Sequence, residues 1–568
     1  VEIEQTQPAE IAEVLSESAL LEVVSDGLPG ISPTFGPGSD ARQPTSEITG
    51  NAAAGSASSF VKNALLSVLR LLISTAIGLL LPGFLIRRLG ANYSAWVLVL
   101  QMSAYVSYLD FGIQTGISKY VAEYQARNDD DGSSVRASAG FALMLIASLL
   151  GVVLTLILAW RVPHLFREMP SSLYRDVRIS LVFVGVSLSF ALLSSIFGAI
   201  FLGLQRYGIS VGLSLVNRVL YTIVMLIAVG TRQSLAVMGA LVAAVNVFTG
   251  FLNVLAWRRM ASHVRISLRR IDRGVMRQML GYCSTLAIWS AGMLCVTGFD
   301  VTIVGHYDYN QTKFYSIATL PTNFLIAIIG AALSPLMPTT SALSVNNTPK
   351  QMGALLTRTT RYSSILLMLA SLPLMVGGYW VLRVVVGSDN AMQTMGYMRI
   401  LLLANVIRNM CLPYASMLVA TESQRVAIAG ATAEAVVNLT ASIVLARHIG
   451  AIGVAYGTLL GSFVSVGMHF ALSMHYTQSK FAVTRLRLFL DGLARPSIIA
   501  VPSLLIVSLW WTHHAPSIPL GGWALLIAVS AALAWWLTLG PLERRRLVTF
   551  AASRVGLASR YNQASVPR

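Results

Sequence analysis

Between residues 61 and 540 the sequence is made of apolar runs about 20 residues long, separated by short polar connections. A run of that length is what a helix needs to cross a bilayer, and few other folds tolerate so many. The 568-residue chain is 55% hydrophobic and only 11% charged, against about 25% charged residues in soluble domains. One soluble core could not hide this much apolar surface. A membrane β-barrel would show short alternating segments, which are absent. The expected fold is therefore an all-α polytopic membrane protein.

Hydropathy and length place spans at 61–87, 92–118, 137–160, 177–203, 209–230, 234–257, 278–305, 314–341, 354–380, 394–420, 425–446, 451–475, 493–512 and 521–540. That makes roughly fourteen. Residues 1–60 differ from everything after them. They hold Glu2, Glu4, Glu10, Glu13, Glu17, Glu22, Asp26, Asp40 and Glu47 against one Arg42, followed by Pro/Gly/Ser-rich sequence. No basic stretch precedes an apolar one, so this reads as a disordered acidic cytoplasmic tail and not a signal peptide.

The net charge of +17 would suggest nucleic acid in a soluble protein. Here the basic residues lie between apolar runs and report topology. With the N-terminus inside, 25 Lys and Arg fall on inside connections and the C-terminal tail, and 10 fall outside. Both termini are expected to be cytoplasmic.

A weak internal repeat pairs "GLQRYGISVGLSLVN" (203–217) with "ESQRVAIAGATAEAVVN" (422–438), and "VMGALVAAV" (237–245) with "AYGTLLGSFV" (455–464). Each pair occupies one place in its block of six helices. The expected layout is an N-terminal six-helix half at 61–257, a basic cytoplasmic linker at 258–277, and a C-terminal half at 278–475. Two further helices at 476–540 and a basic tail at 541–568 follow. In transporters, such repeats place the substrate path in a central lumen between the halves.

Ionisable residues inside spans are costly and mark function or pairing. Arg70 in span one shares a helix face with Asn63, Ser67 and Ser74. Insertion scales charge about 2.5–3.5 kcal/mol for such an arginine at the bilayer centre, so the polar stripe argues for a wet lumen. Arg218 in span five has Ser214, Asn217 and Tyr221 nearby, and Arg408 in span ten has Asn405 and Asn409. Three guanidinium groups on three spans form a candidate substrate-binding set for a phosphate or pyrophosphate. The alternative is pairing with intramembrane acids or carbonyls. Asp300 in span seven and Glu434 in span eleven are ion-coupling candidates for a proton or sodium ion, or else neutralising partners of those arginines. Asp110 and Lys119, at the inner end of span two, are gating or interface candidates beside Gly112 and Gly116.

Several segments carry a family resemblance. "LDFGIQTGISKYVAEY" (109–124) resembles the end of the second helix in polysaccharide flippases, the oligosaccharidyl-lipid branch of the multidrug/oligosaccharidyl-lipid/polysaccharide exporter superfamily. "NALLSVLRLLISTAIGLLLPGFLIRRLGANYSAWVLVLQM" (63–102), "FLGLQRYG" (201–208) and "GFDVTIVGHYDYNQTKFYSIATLPTNF" (298–324) are similar to further segments of that family, in the same order. The resemblance covers about 61–475. The acidic tail and the "GHYDYN" turn depart from the pattern.

The resemblance implies a flippase in a bacterial inner membrane, moving undecaprenyl-pyrophosphate-linked oligosaccharide by alternating access for O-antigen or other cell-surface polysaccharide. Its partners would be that lipid-linked substrate, the bilayer, a proton or sodium ion, and other polysaccharide-assembly proteins. A cation-coupled multidrug exporter of the related branch and a membrane-embedded polymerase or ligase are the competing readings. No nucleotide-binding P-loop is present, and no long connection is available to hold an enzyme site. "DDD" at 129–131 and His513–His514 lack metal-site spacing, and Cys283, Cys295 and Cys411 read as buried apolar residues. No cofactor, resident metal, enzymatic activity or nucleic-acid partner is expected.

Overall fold

The computed structural model describes residues 77–267, 269, 271–333, 336–345, 348–506, 519–541 and 543–545. The acidic segment 1–60, the Arg70 stripe, His513–His514 and the end of the basic tail lie outside the described residues.

The described residues are helical almost throughout. The chain runs through α1 (77–89), α2 (Asn92–Ala104), α3 (Ile113–Ala126), α4 (Asp130–Leu165), α5 (Tyr174–Gly203), α6 (Tyr207–Gly230) and α7 (Leu235–Met260). It continues through α8 (Arg273–Met293), α9 (Asp300–Tyr307), α10 (Thr312–Ala332), α11 (Leu336–Val345), α12 (Pro349–Val386), α13 (Ser388–Asn409) and α14 (Leu412–Ala420). The last elements are α15 (Ile428–Ile449), α16 (Ala451–Phe481), α17 (Arg485–Ile506) and α18 (Gly521–Thr538).

Among the described residues, 11 helices are long and apolar enough to cross a membrane, or 12 if α13 and α14, bent by 40° at their junction, form one span. The expected fourteen is not reached on that measure. Only residues 77–87 of predicted span one are described, and predicted span seven is broken between α8 and α9. The second span is also less regular than its hydropathy suggests. After the tight turn Tyr105–Asp110, Phe111 and Gly112 take left-handed conformations, at φ 46° and 74°. That conformation is strained for phenylalanine and free for glycine.

Small residues set the seams. Apolar faces gain little from meeting each other in lipid, so close packing and hydrogen bonds must hold the helices together. On α16, Gly453, Gly457 and Gly461 recur one turn apart and face Leu445, Ser442 and Asn438 of α15. A Cβ at Gly457 would lie 2.7 Å from the Ser442 Cα, which is backbone and cannot step aside. Gly457→Val is therefore expected to cost about 1–3 kcal/mol by overpacking, read as a lower melting midpoint and lower membrane abundance. Polar glue acts between α5, α6 and α7: Asn217 donates to Thr249 at 3.1 Å, and Asn246 donates to Ser187 at 3.0 Å.

The two turns matched by the internal repeat close in the same way. Gln205, at φ 56°, donates its N–H to the Leu202 carbonyl, and the Arg206 N–H donates to Phe201. Glu422, at φ 54°, donates to Val419, and the Ser423 N–H donates to Leu418. Asn128 and Arg232 close α3 and α6 with the same pattern, so this turn is a general helix stop and not a mark of the repeat.

Two ends of the bundle differ. At one end the segment from Ala261 to Ser267 straps across α4. At the other, the N-terminal helices α1–α7 are stitched to the C-terminal ones. Arg87 donates to the carbonyls of Arg383 and Val384, His306 Nδ1 pairs with the Leu165 carbonyl, and the Tyr309 N–H donates to Glu168 at 3.1 Å. In the turn beyond α9, burial raises the Asp308 carboxyl above its ordinary range; the Ala451 N–H opposes this and the Glu168 charge adds to it. At the strap end, the N-terminal helices meet α8. Gly116 packs against Tyr282 and Cys283, Gly140 faces Met279, and the Lys119 ammonium lies 4.8 Å from the Tyr282 ring centroid.

Candidate functional site

The broken seventh span organises a buried polar cluster. After α8 the helix widens into a π-type turn, Leu294–Gly298, and α9 starts at Asp300. A wider turn lets main-chain carbonyls leave the helical ladder, and in a membrane they need partners. Val296 accepts from Asn438 of α15 at 2.8 Å, and Gly298 accepts from Gln101 of α2 at 2.6 Å. Tyr105 and Thr302 share a hydroxyl contact one turn further on. Span seven is thereby tied to both groups of helices at its break.

Asp300 is buried beside this break. Its Oδ2 accepts from the Thr458 hydroxyl at 3.1 Å and from the Tyr315 hydroxyl at 3.3 Å. Arg408 lies near enough to act on it electrostatically. Arg408 itself is committed elsewhere. Its Nε donates to Glu434 Oε1 at 2.6 Å, with the two side chains 16% and 10% exposed. Its Nη2 is buried with no hydrogen-bond partner among the described residues. Asn405 and Asn409, its sequence neighbours, do not reach it: they donate to the carbonyls of Leu401 and Asn405 on their own helix. That helix then stops, and Pro413 opens α14 after the bend.

Arg218 lies in different surroundings. It is mid-way along α6, half-buried, with its guanidinium against α1, where a Cβ on Gly78 would stand 3.5 Å from Nη2. Its Nε is buried without a hydrogen-bond partner, and no ion pair with it occurs among the described residues. Tyr221, one turn along, feels its charge. No contact among the described residues joins Arg218 to Arg408; Arg408 faces Glu434, and Arg70 lies outside the described residues.

Asp110 accepts from the Gln114 N–H at 3.3 Å and so holds the start of α3 after the left-handed break. Lys119 is exposed and rests on Tyr282 and Tyr120.

Sequence reasoning passed over several members of this cluster. Thr458, Tyr315 and Gln101 carry no charge, and hydroxyls and amides are common in membrane helices, so nothing in the sequence singled them out. Arg399 of α13 did carry a signal, a cation inside an apolar run; its Nε donates to the Met375 carbonyl at 3.0 Å. No group of three or more His, Cys, Asp or Glu able to hold a metal occurs among the described residues.

No family model and no curated protein sequence matches this chain. Solved structures do. The lipid II flippase MurJ, in an inward closed conformation, superposes with TM-score 0.62 at 12% identity, covering 87% of this chain and 99% of that one. A multidrug resistance MATE family transporter of the MOP superfamily gives 0.60 at 13% identity in its inward-facing conformation, covering 74% and 94%. A MATE transporter in its outward-facing conformation gives 0.52 at 13%, covering 75% and 93%. At these identities the likeness concerns the fold: this chain is a multi-pass membrane protein with the fold shared by MurJ and the MATE transporters.

Proposed function

We propose that the chain is a flippase that carries a lipid-linked oligosaccharide, held by its pyrophosphate, across the membrane by alternating access. The observation that carries this reading is Arg218, a cation midway along the candidate span α6 with no ionic partner among the described residues. A guanidinium kept there at cost suits an anionic head group, to which it offers bidentate, charge-assisted hydrogen bonds. The fold supports a transport role, and the MurJ likeness supports a lipid-borne cargo. The seal made by Arg87, His306 and Tyr309 supports a state closed at the end away from the strap. We take the strap end as cytoplasmic, on the charge distribution, so this state would load from the inner leaflet. The carrier would be undecaprenyl pyrophosphate, and the setting cell-surface polysaccharide assembly.

The decisive experiment is a proteoliposome assay with a fluorescent isoprenyl-pyrophosphoryl saccharide and, in parallel, a cationic dye. Protein-dependent movement of the saccharide lipid supports the flippase. Movement of the dye alone would replace it with the multidrug reading, which the MATE likeness and the buried Asp300 keep in view.

Of the two acids, Glu434 serves Arg408, which leaves Asp300 as the ion-coupling candidate. Its ligands are two hydroxyls, and a hydroxyl can donate to a carboxylate or accept from its protonated form. Asp300→Asn cannot exchange a proton. It is expected to keep the protein in the membrane and to remove the dependence of transport on an imposed pH gradient. Transport by wild type and variant that responds equally to the gradient would exclude Asp300 from coupling.

A further inference from the structure

The connection between α7 and α8 is built into the fold. Ala261 and Val264 are fully buried, and Trp257 Nε1 donates to the Val264 carbonyl at 3.1 Å. The Arg206 guanidinium holds the Met260 carbonyl. The Arg265 N–H then donates to Ser134 Oγ at 2.9 Å, and the Ser267 N–H donates to Ser138 Oγ at 3.0 Å. The spacing explains the fit. Two residues of extended chain advance about 6.6 Å, and one helical turn of four residues on α4 advances about 6 Å. The strap therefore runs along α4 with its alternate N–H groups turned inward.

With its main chain anchored, the strap presents cations outward. Arg258 and Arg259 close α7, Arg265 lies on the strap, Arg269 follows it, and Arg273 and Arg277 share one face of the first turns of α8; all six are exposed. None is in an ion pair among the described residues. Asp272, the acid in this stretch, is occupied in capping α8 through the Val275 N–H at 2.9 Å. Some other basic residues at this end do have partners: Arg127 pairs with Glu123, Arg487 and Arg495 with Asp491, and Lys119 rests on Tyr282. Six arginines without an ion pair among the described residues, close together along the chain, repel each other unless anions sit among them. Because two of the groups are helix ends at the membrane boundary, the anions within reach are lipid headgroups.

We infer that the strap and the helix ends flanking it form a binding surface for the phosphate headgroups of anionic phospholipids in the adjoining leaflet. The surface is independent of what the protein transports, and it holds whether or not the flippase reading does.

The test uses the purified full chain in a neutral detergent, titrated with phosphatidylglycerol or with phosphatidylcholine and followed by native mass spectrometry. Wild type is expected to bind phosphatidylglycerol in preference, with an affinity that falls as salt screens the charges. R265Q/R269Q/R273Q/R277Q should bind about ten-fold more weakly or worse, and the matching four-lysine variant should keep most of the affinity. Since the strap's backbone bonds use none of these side chains, the fold should persist in both. Equal binding of the two lipids overturns the inference. So does undiminished binding by the glutamine variant, or a lysine variant as weak as the glutamine one. The acidic segment 1–60 is a rival occupant: if wild type fails to bind phosphatidylglycerol and a chain lacking residues 1–60 binds it, that segment covers the surface and the lipid assignment falls.

Discussion

Glu434→Gln, with Arg408 intact, is expected to lower the stability of the folded protein by about 3 kcal/mol, the low end of what breaking a buried ion pair costs. The reason lies in what the substitution leaves behind. Arg408 makes its one charge-assisted hydrogen bond through Nε to Glu434 at 2.6 Å, and its buried Nη2 has no hydrogen-bond partner among the described residues. A neutral amide still accepts a hydrogen bond and no longer balances the charge. The pair is mostly buried, so solvent screening relieves little of the loss. The low end applies because a partly unfolded membrane chain finds substitute partners for its polar groups.

The measurement is a thermal-melt series on E434Q, R408Q and the double variant R408M/E434Q in one detergent. Each single variant should melt several degrees below wild type, and the double variant should recover most of the difference, because removing both charges removes the penalty. If E434Q melts with wild type, the compensation of Arg408 comes from Asp300 or from bound water, and the ion pair is incidental.

That pair illustrates what a sequence of this kind reveals. Arg408, Glu434 and Asp300 stand out because an ionisable group in an apolar run is expensive enough to need a reason. Which acid answers which arginine is not legible, since it depends on how α13, α15 and α9 cross. The hydroxyls of Thr458 and Tyr315 become visible only when those helices are in place. Span positions follow from hydropathy; their interruptions do not. Nothing in "LCVTG" announces a π-type turn, and nothing in "LDFG" requires Phe111 to take a left-handed conformation, because both are imposed by the packing around them. The opposite holds for the glycine ridge on α16. Gly453, Gly457 and Gly461 at one-turn spacing are a pattern that hydropathy ignores and helix geometry makes plain. The linker was legible as basic, but its docking on Ser134 and Ser138 was not, since two serines in a helix usually bond to their own main chain.

Arg218→Ala is expected to reduce transport of a pyrophosphate-linked lipid by about 10- to 100-fold while leaving the amount of protein in the membrane unchanged. That range corresponds to the loss of a hydrogen bond to a charged group, worth about 1.5–3 kcal/mol. Arg218 lies near the midpoint of α6, roughly 16–18 Å from either end at the helical rise of about 1.5 Å per residue. It cannot reach either interface easily by stretching its side chain. It faces α1 at Gly78 and leaves Nε buried without a hydrogen-bond partner among the described residues. A cation serving the fold would be expected to hold an acid or a set of carbonyls, as Arg408 holds Glu434 and Arg87 holds the end of α12. Removing an uncompensated charge should therefore spare or improve stability, the reverse of the effect at Glu434. Arg218→Lys should retain part of the transport, because it keeps the charge and loses the planar fork that matches two phosphate oxygens. The two quantities must be measured on the same preparations: flipping rate in proteoliposomes and abundance by immunoblot. Normal flipping by the alanine variant at normal abundance would remove Arg218 from substrate binding. A fall in abundance that tracks the fall in flipping would instead make Arg218 a structural residue, paired within the folded chain.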